Sequence, residues 1–192
     1  MRYAMALTIA TAVVAPVGAT TLMRAGLEKL AAENATVVVG DVVDASSYWN
    51  ADGSFILTDV RFAVSEVVKG RPQSREITIT LMGGQVGDLT TLIIGNAQLI
   101  PGRSYVLFLN EEDLPGAKGA LTVRDLVQGA FDLVIAKDGV RAISQANGHP
   151  LIPDAKGYGD APGGAEGMPL NALIQSVREQ VERPQADRPE VN

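Results

Sequence analysis

The chain has 192 residues, 46% of them hydrophobic and 20% charged, and a formal net charge of -6. That length suits one domain with short appendages, and an acidic chain disfavours nucleic acid as a partner, because affinity for phosphate comes mainly from Lys and Arg. With no cysteine and a single histidine, His149, disulfides, thiolate metal centres, thiol nucleophiles and a multi-histidine zinc site are excluded within one chain.

The first segment, MRYAMALTIATAVVAPVGA, carries Arg2, an apolar run from Ala4 to Ala15 and the small residues Val17-Gly18-Ala19. This pattern predicts a signal peptide over 1–19, cut after Ala19. The run is too short for a membrane span, which needs about 20 apolar residues. The expected mature chain is exported, periplasmic or extracellular, with no membrane insertion after cleavage.

Residues 21–34, TLMRAGLEKLAAEN, place Leu22, Met23, Leu27, Leu30 and Ala31 at helical spacing. The valine run ATVVVGDVVD, 35–44, predicts a strand covered on both faces. SSYWNADGS, 46–54, is expected as a polar loop. In the long strand 55–70, Val60, Phe62 and Val64 alternate with Arg61 and Ala63. The parity then slips at Ser65-Glu66, which predicts a β-bulge or sharp bend. Residues 75–82 alternate cleanly, with Ile77, Ile79 and Leu81 facing inward.

Met82-Gly83-Gly84 ends that strand. A phosphate loop needs such glycines ahead of a helix N-terminus, but no Lys-Ser/Thr follows Gly87, and DLTTLIIGNAQL is β-branched rather than amphipathic. The glycines are therefore expected as a tight connection between strands, and no cofactor is implied. Pro101-Gly102 turns the chain into SYVLFL, apolar on both faces and so expected at the centre of the sheet. NEEDLPGAKGA, 110–120, is expected as an acidic loop. Strands at 121–126 and 130–136 follow, and Lys137-Asp138-Gly139 forms a hairpin turn. Residues 147–168 are expected as a flexible connector, 169–183 as a helix with a Leu170, Leu173, Ile174, Val177, Val181 stripe, and 184–192 as a disordered tail. The fold expected over 20–146, with its leading helix, is a single mainly-β domain: a small closed or partly open OB-like barrel, with a C-terminal amphipathic helix. The 20 glycines and 10 prolines suit its many short strands.

The succession TLMRAGLEKLAAENATVVVG, EVVKG, ITITLMGGQVG, PGRSYVLFL and QGAFDL, across about residues 20 to 136, resembles a group of exported bacterial proteins. The order VVVG, EVVKG, PGRSYVLFL is more remotely similar to the netrin-like modules and the tissue inhibitors of metalloproteinases, which use an OB-type barrel. The resemblance implies the barrel. It does not bring the inhibitory mechanism, which in those inhibitors needs an N-terminal cysteine on the target's zinc. Here the expected mature start is Thr20 and cysteine is absent.

Candidate chemistry is sparse. His149 sits in the loop NGHPLIP, and no serine lies in a G-x-S-x-G elbow. Glu111, Glu112 and Asp113 lack calcium-loop spacing and read as a solvated acidic run, so no metal is implied. Aromatics at 5% offer no sugar platform. Tyr48-Trp49 is the one pair suited to anchoring a partner, and packing gives Trp49 another role, plugging the open end of the barrel. The function expected is an exported, non-enzymatic binding or accessory module with a protein partner, in one form a companion or inhibitor of an exported protease. The alternative is a secreted hydrolase with a carboxylate-based active site.

Overall fold

Two long strands carry the architecture, one buried on both faces only over its valine-rich start and the other alternating buried aliphatic with more exposed residues. In the computed structural model, which describes residues 24–124, 126–147 and 163–182, β1 (Thr36–Trp49) pairs antiparallel with β2 (Ile56–Lys69) along its length. The other elements are α1 (Leu27–Glu33), β3 (Glu76–Met82), β4 (Gly84–Val86), β5 (Leu89–Thr91), β6 (Ser104–Leu114), β7 (Ala117–Val123), β8 (Ala130–Ala136), β9 (Gly139–Ser144), β10 (Met168–Pro169) and α2 (Leu170–Glu182). The main sheet runs β10-β9-β8-β6-β1-β2-β3, and β4 and β5 form a separate hairpin. β6 is shared: Tyr105 to Leu107 pair with β8, whereas Leu109 onward pairs with β7. The protein is mainly β with an antiparallel sheet, as expected. Among the described residues the sheet does not close into a hydrogen-bonded ring. β3 and β7 approach within 8 Å between Cα atoms, but no ladder joins them.

Alternation along β1 and β6 sends side chains into two separate cores. Val38, Val42, Tyr105, Leu107 and Leu109 enter an inner core with Val60, Phe62, Ile79 and Leu81. Val37, Val39, Val106 and Phe108 enter an outer core beneath the helices. The two-sided burial expected of SYVLFL is found, and that of the valine run holds for residues 37–40; beyond them only Val42 is buried and Val43 is exposed. α2 contributes Leu173, Ile174 and Val177 to the outer core, and α1 contributes Leu30 and Ala31. Phe108 and Phe131 meet there with ring centroids 5.7 Å apart at a 48° tilt. Each fully buried large side chain stabilises the fold by about 1.5–3 kcal/mol. Lys69 ties β2 to α1: its Nζ donates to the carbonyls of Ala31 and Asn34, each at 2.6 Å. A cation there opposes the partial negative charge at the helix C-terminus.

The parity slip in β2 is a bulge. Val39 opposes Glu66 and Gly40 opposes Val64, which leaves Ser65 without an opposite residue. Its hydroxyl donates to the Val39 carbonyl at 3.1 Å. Past the bulge, Val68 enters the outer core, whereas Val64 lies in the inner one.

Three local expectations are corrected. Residues 46–49 are strand rather than loop, because Tyr48 and Trp49 pair with Leu57 and Ile56. Only the short turn beyond remains, held by Asn50, whose Oδ1 accepts from the amides of Ser54 at 2.9 Å and Phe55 at 3.0 Å. Residues 110–120 are a hairpin rather than an acidic loop. Glu111 and Glu112 pair with Leu121 and Ala120, and Gly116 turns the chain at φ 79°. The connector expected over 147–168 is structured at its end, where a 3-10 turn (Gly164–Glu166) leads into β10, paired with β9. Pro169 belongs to β10 and α2 starts one residue later. Residues 1–19, His149, most of the expected connector and the tail 184–192 lie outside the described residues.

Candidate functional site

Between β5 and β6, residues 92–100 (LIIGNAQLI) belong to no strand: they turn at Ile94-Gly95, where the Asn96 amide donates to the Ile93 carbonyl at 3.2 Å and Gly95 has φ 87°, yet burial alternates along them. Gly95, Ala97 and Leu99 are buried, and the last two join the inner core. Leu92, Ile94 and Ile100 face outward, exposed by 81%, 65% and 44%. The strap thus packs its inner parity into the inner core, and the plugging role expected of Trp49 is not found. Trp49 itself is 40% exposed and belongs to neither core.

The strap's backbone is firmly held. The Val127 amide donates to the Gly95 carbonyl at 2.8 Å. The Gln145 carboxamide clasps Gln98 twice: the Gln98 amide donates to its Oε1, and its Nε2 donates to the Gln98 carbonyl, both at 2.9 Å. Asn96 Nδ2 donates to the Met82 carbonyl at 2.7 Å. The Ile100 amide donates to Tyr105 Oη at 2.9 Å. Exposed aliphatic side chains thus ride on a backbone that is fixed rather than loose.

A cleft lies on each side of the strap. The larger, about 540 Å³, opens toward β8 and β9, with Leu92, Ile94, Ile100, Arg103, Asp132 and Gln145 in its lining. The smaller, about 360 Å³, opens toward β3 and β4 and includes Leu81, Gly83, Gly84, Thr90 and Ile93. The Gly83-Gly84 corner leads into strand β4, not into a helix, so it offers no helix N-terminus to an anion. Its glycines serve packing: Gly84 has φ 135°, and a Cβ there would collide with the hydroxyls of Thr58 and Ser47.

Asp132 is half-buried in the larger cleft. Burial raises its carboxyl above the ordinary carboxylate range, against the opposing pull of the Arg103 charge and a hydrogen bond from Gln145. Burial likewise raises the Tyr105 hydroxyl, with Arg103 again opposing. Asp132 is the one carboxylate in this cleft among the described residues.

Tyr48 and Trp49 stand at the end of β1, exposed by 37% and 40%. Neither lines the two clefts beside the strap. As neighbours on a strand they point to opposite faces, so the structure does not merge them into one patch. Tyr48 Oη donates to Asp59 at 3.1 Å, which also accepts from Thr80 Oγ1 at 2.7 Å. In the acidic run, Asp113 accepts from the Gly119 amide at 2.9 Å and Glu112 lies 3.9 Å from Arg124. Among the described residues no group of three His, Cys, Asp or Glu could hold a metal, and no helix is long and apolar enough to cross a membrane.

The strap is the site that sequence reasoning passed over. Its signal was present: aliphatic residues on both parities of a segment bounded by Gly83-Gly84 and Pro101-Gly102. No protein-family model matches the chain, and a search of curated proteins finds no significant match.

Proposed function

We propose that this chain is an exported, non-enzymatic binding module that grips a protein partner through the outward aliphatic row of residues 92–100. The observation that carries the reading is the combination of exposed Leu92, Ile94 and Ile100 with a tethered backbone. Contiguous exposed apolar surface marks interaction sites, and a pre-ordered segment loses little entropy on binding. Trp49 supplies a secondary contact, suited to its exposure, with Tyr48 on the opposite face a separate one. A companion or inhibitor of an exported protease is one form of this function, in keeping with the resemblance to netrin-like modules. The barrel belongs to the same reading: the sheet curls into a partly open OB-like barrel whose slit lies between β3 and β7, supported by their approach without a ladder. The rival carboxylate-based hydrolase needs at least two converging titratable groups, whereas the larger cleft offers a lone described carboxylate.

Export is tested by sequencing the amino terminus of the protein recovered outside the cytoplasm. A start at Thr20 supports it, and an intact Met1 overturns it. The interface is tested by affinity capture from that fraction with the native chain, a Leu92→Ser/Ile94→Ser variant, Trp49→Ala, and Lys118→Ala as an exposed control. The reading expects one protein to be recovered by the native chain and the control, lost with the strap variant and reduced with Trp49→Ala. Equal recovery by all four would overturn the strap interface.

A further inference from the structure

The larger cleft beside the strap combines two features with complementary chemical demands. Its charged lining, among the described residues, consists of Arg103 and Asp132. The Arg103 charge opposes the rise of the Asp132 carboxyl, and no ion pair of 4.0 Å or less joins the two among the described pairs. Most of the uncharged polar side chains around them are already engaged. Asn96 holds the Met82 carbonyl, Asn147 Nδ2 holds the Gly164 carbonyl at 2.6 Å, Gln145 clasps Gln98, and Ser144 Oγ accepts from the Ala146 amide. The rest of the wall is aliphatic, from Leu92, Ile94, Ile100 and Ile143. A volume of about 540 Å³ falls within the range of about 300–1,000 Å³ for small-ligand sites.

We propose that this cleft binds a short apolar peptide with both ends free, its ammonium on Asp132, its carboxylate on Arg103 and its aliphatic side chains against the strap. The charge signs decide the class. A purely cationic ligand would meet Arg103 as a like charge, a purely anionic one would meet Asp132, and an uncharged one would desolvate the half-buried Asp132 further with no cation set on it. A zwitterion satisfies both groups, and charge-assisted hydrogen bonds at both ends give it orientation. This site adds a small ligand to the strap's protein contact, and either can fail without the other.

The test is titration calorimetry on the full chain at pH 7 with trileucine, N-acetyl-trileucine, trileucine amide and free leucine. Trileucine is expected to bind, and each end-blocked form at least tenfold more weakly. Asp132→Asn should erase the preference for the free amine alone, and Arg103→Gln the preference for the free carboxylate alone. Trileucine affinity should fall on acidification as Asp132 takes up its proton, with Arg103 and the Tyr105 hydroxyl the groups facing it. No heat with trileucine, equal binding of the blocked peptides, or equally tight binding of leucine would overturn the assignment. The blocked peptides test it on the unmodified protein, so it does not depend on either variant folding. Unchanged affinity capture by Arg103→Gln would leave the strap interface standing even if this site failed.

Discussion

The ribbon formed by β1 and β6 and the strap 92–100 are both rich in aliphatic residues, Val and Leu in the ribbon and Leu and Ile in the strap. They differ in what lies on their second face. In the ribbon, Val37, Val39, Val106 and Phe108 find the helices, so both parities are buried. In the strap, Ala97 and Leu99 reach the inner core, while Leu92 and Ile94 look into solvent. A sheet face left bare would cost solubility, and α1 and α2 remove that cost from the ribbon. Nothing among the described residues does so for the strap. Buried aliphatic side chains here report on stability, and the strap's exposed ones report on contact.

The sharpest way to break the comparison is to truncate the ribbon. Phe108→Ala removes a fully buried ring tilted against Phe131, and should destabilise by about 3–5 kcal/mol, read as a lowered denaturation midpoint in urea. The strap's inner parity should behave like core on a smaller scale. Leu99→Ala is expected to cost about 2–3 kcal/mol, and a cost near zero would show that the strap's inner parity is not part of the core.

Asp132 separates cleft from core by its pH response. Its raised folded-state pKa means that the folded protein holds this proton more tightly than the unfolded chain does. Its contribution to stability is therefore present below the ordinary carboxylate value of about 3.9 and is lost as pH rises through the raised value. Asp132→Asn should flatten that fall, leaving the variant at least as stable as the native protein at pH 7 by thermal melts across pH. A steeper fall in the variant would reverse the assignment. The smallest stability effect belongs to the strap's outer parity. Leu92→Ser with Ile94→Ser should stay within about 0.5 kcal/mol per site in the same melts, while partner capture is lost.

Much of the fold was legible because it rests on local alternation. Val60, Phe62 and Val64 specify one face of β2, and the slip at Ser65-Glu66 marks a bulge where the register shifts. The α2 stripe was readable for the same reason. Long-range pairing was not. The charges of Glu111 and Glu112 suggest a loop, yet partners on β7 hold them in a strand. Tyr48 and Trp49 sit among loop-forming residues, yet the length of β2 carries them in register. The candidate site was the least legible part. Whether Leu92 or Leu99 faces water depends on where Gly95 and Gln98 are tethered, and those tethers come from Val127 and Gln145, distant in the chain.

The Gln145 clasp has a consequence for solubility. An extended aliphatic segment with open amide and carbonyl groups is a template on which another chain can add a strand. At Gln98 the carboxamide already fills both positions that an incoming peptide group would take. A binding surface of this kind can show its leucines and isoleucines to a folded partner while denying fibre growth a starting edge at its midpoint.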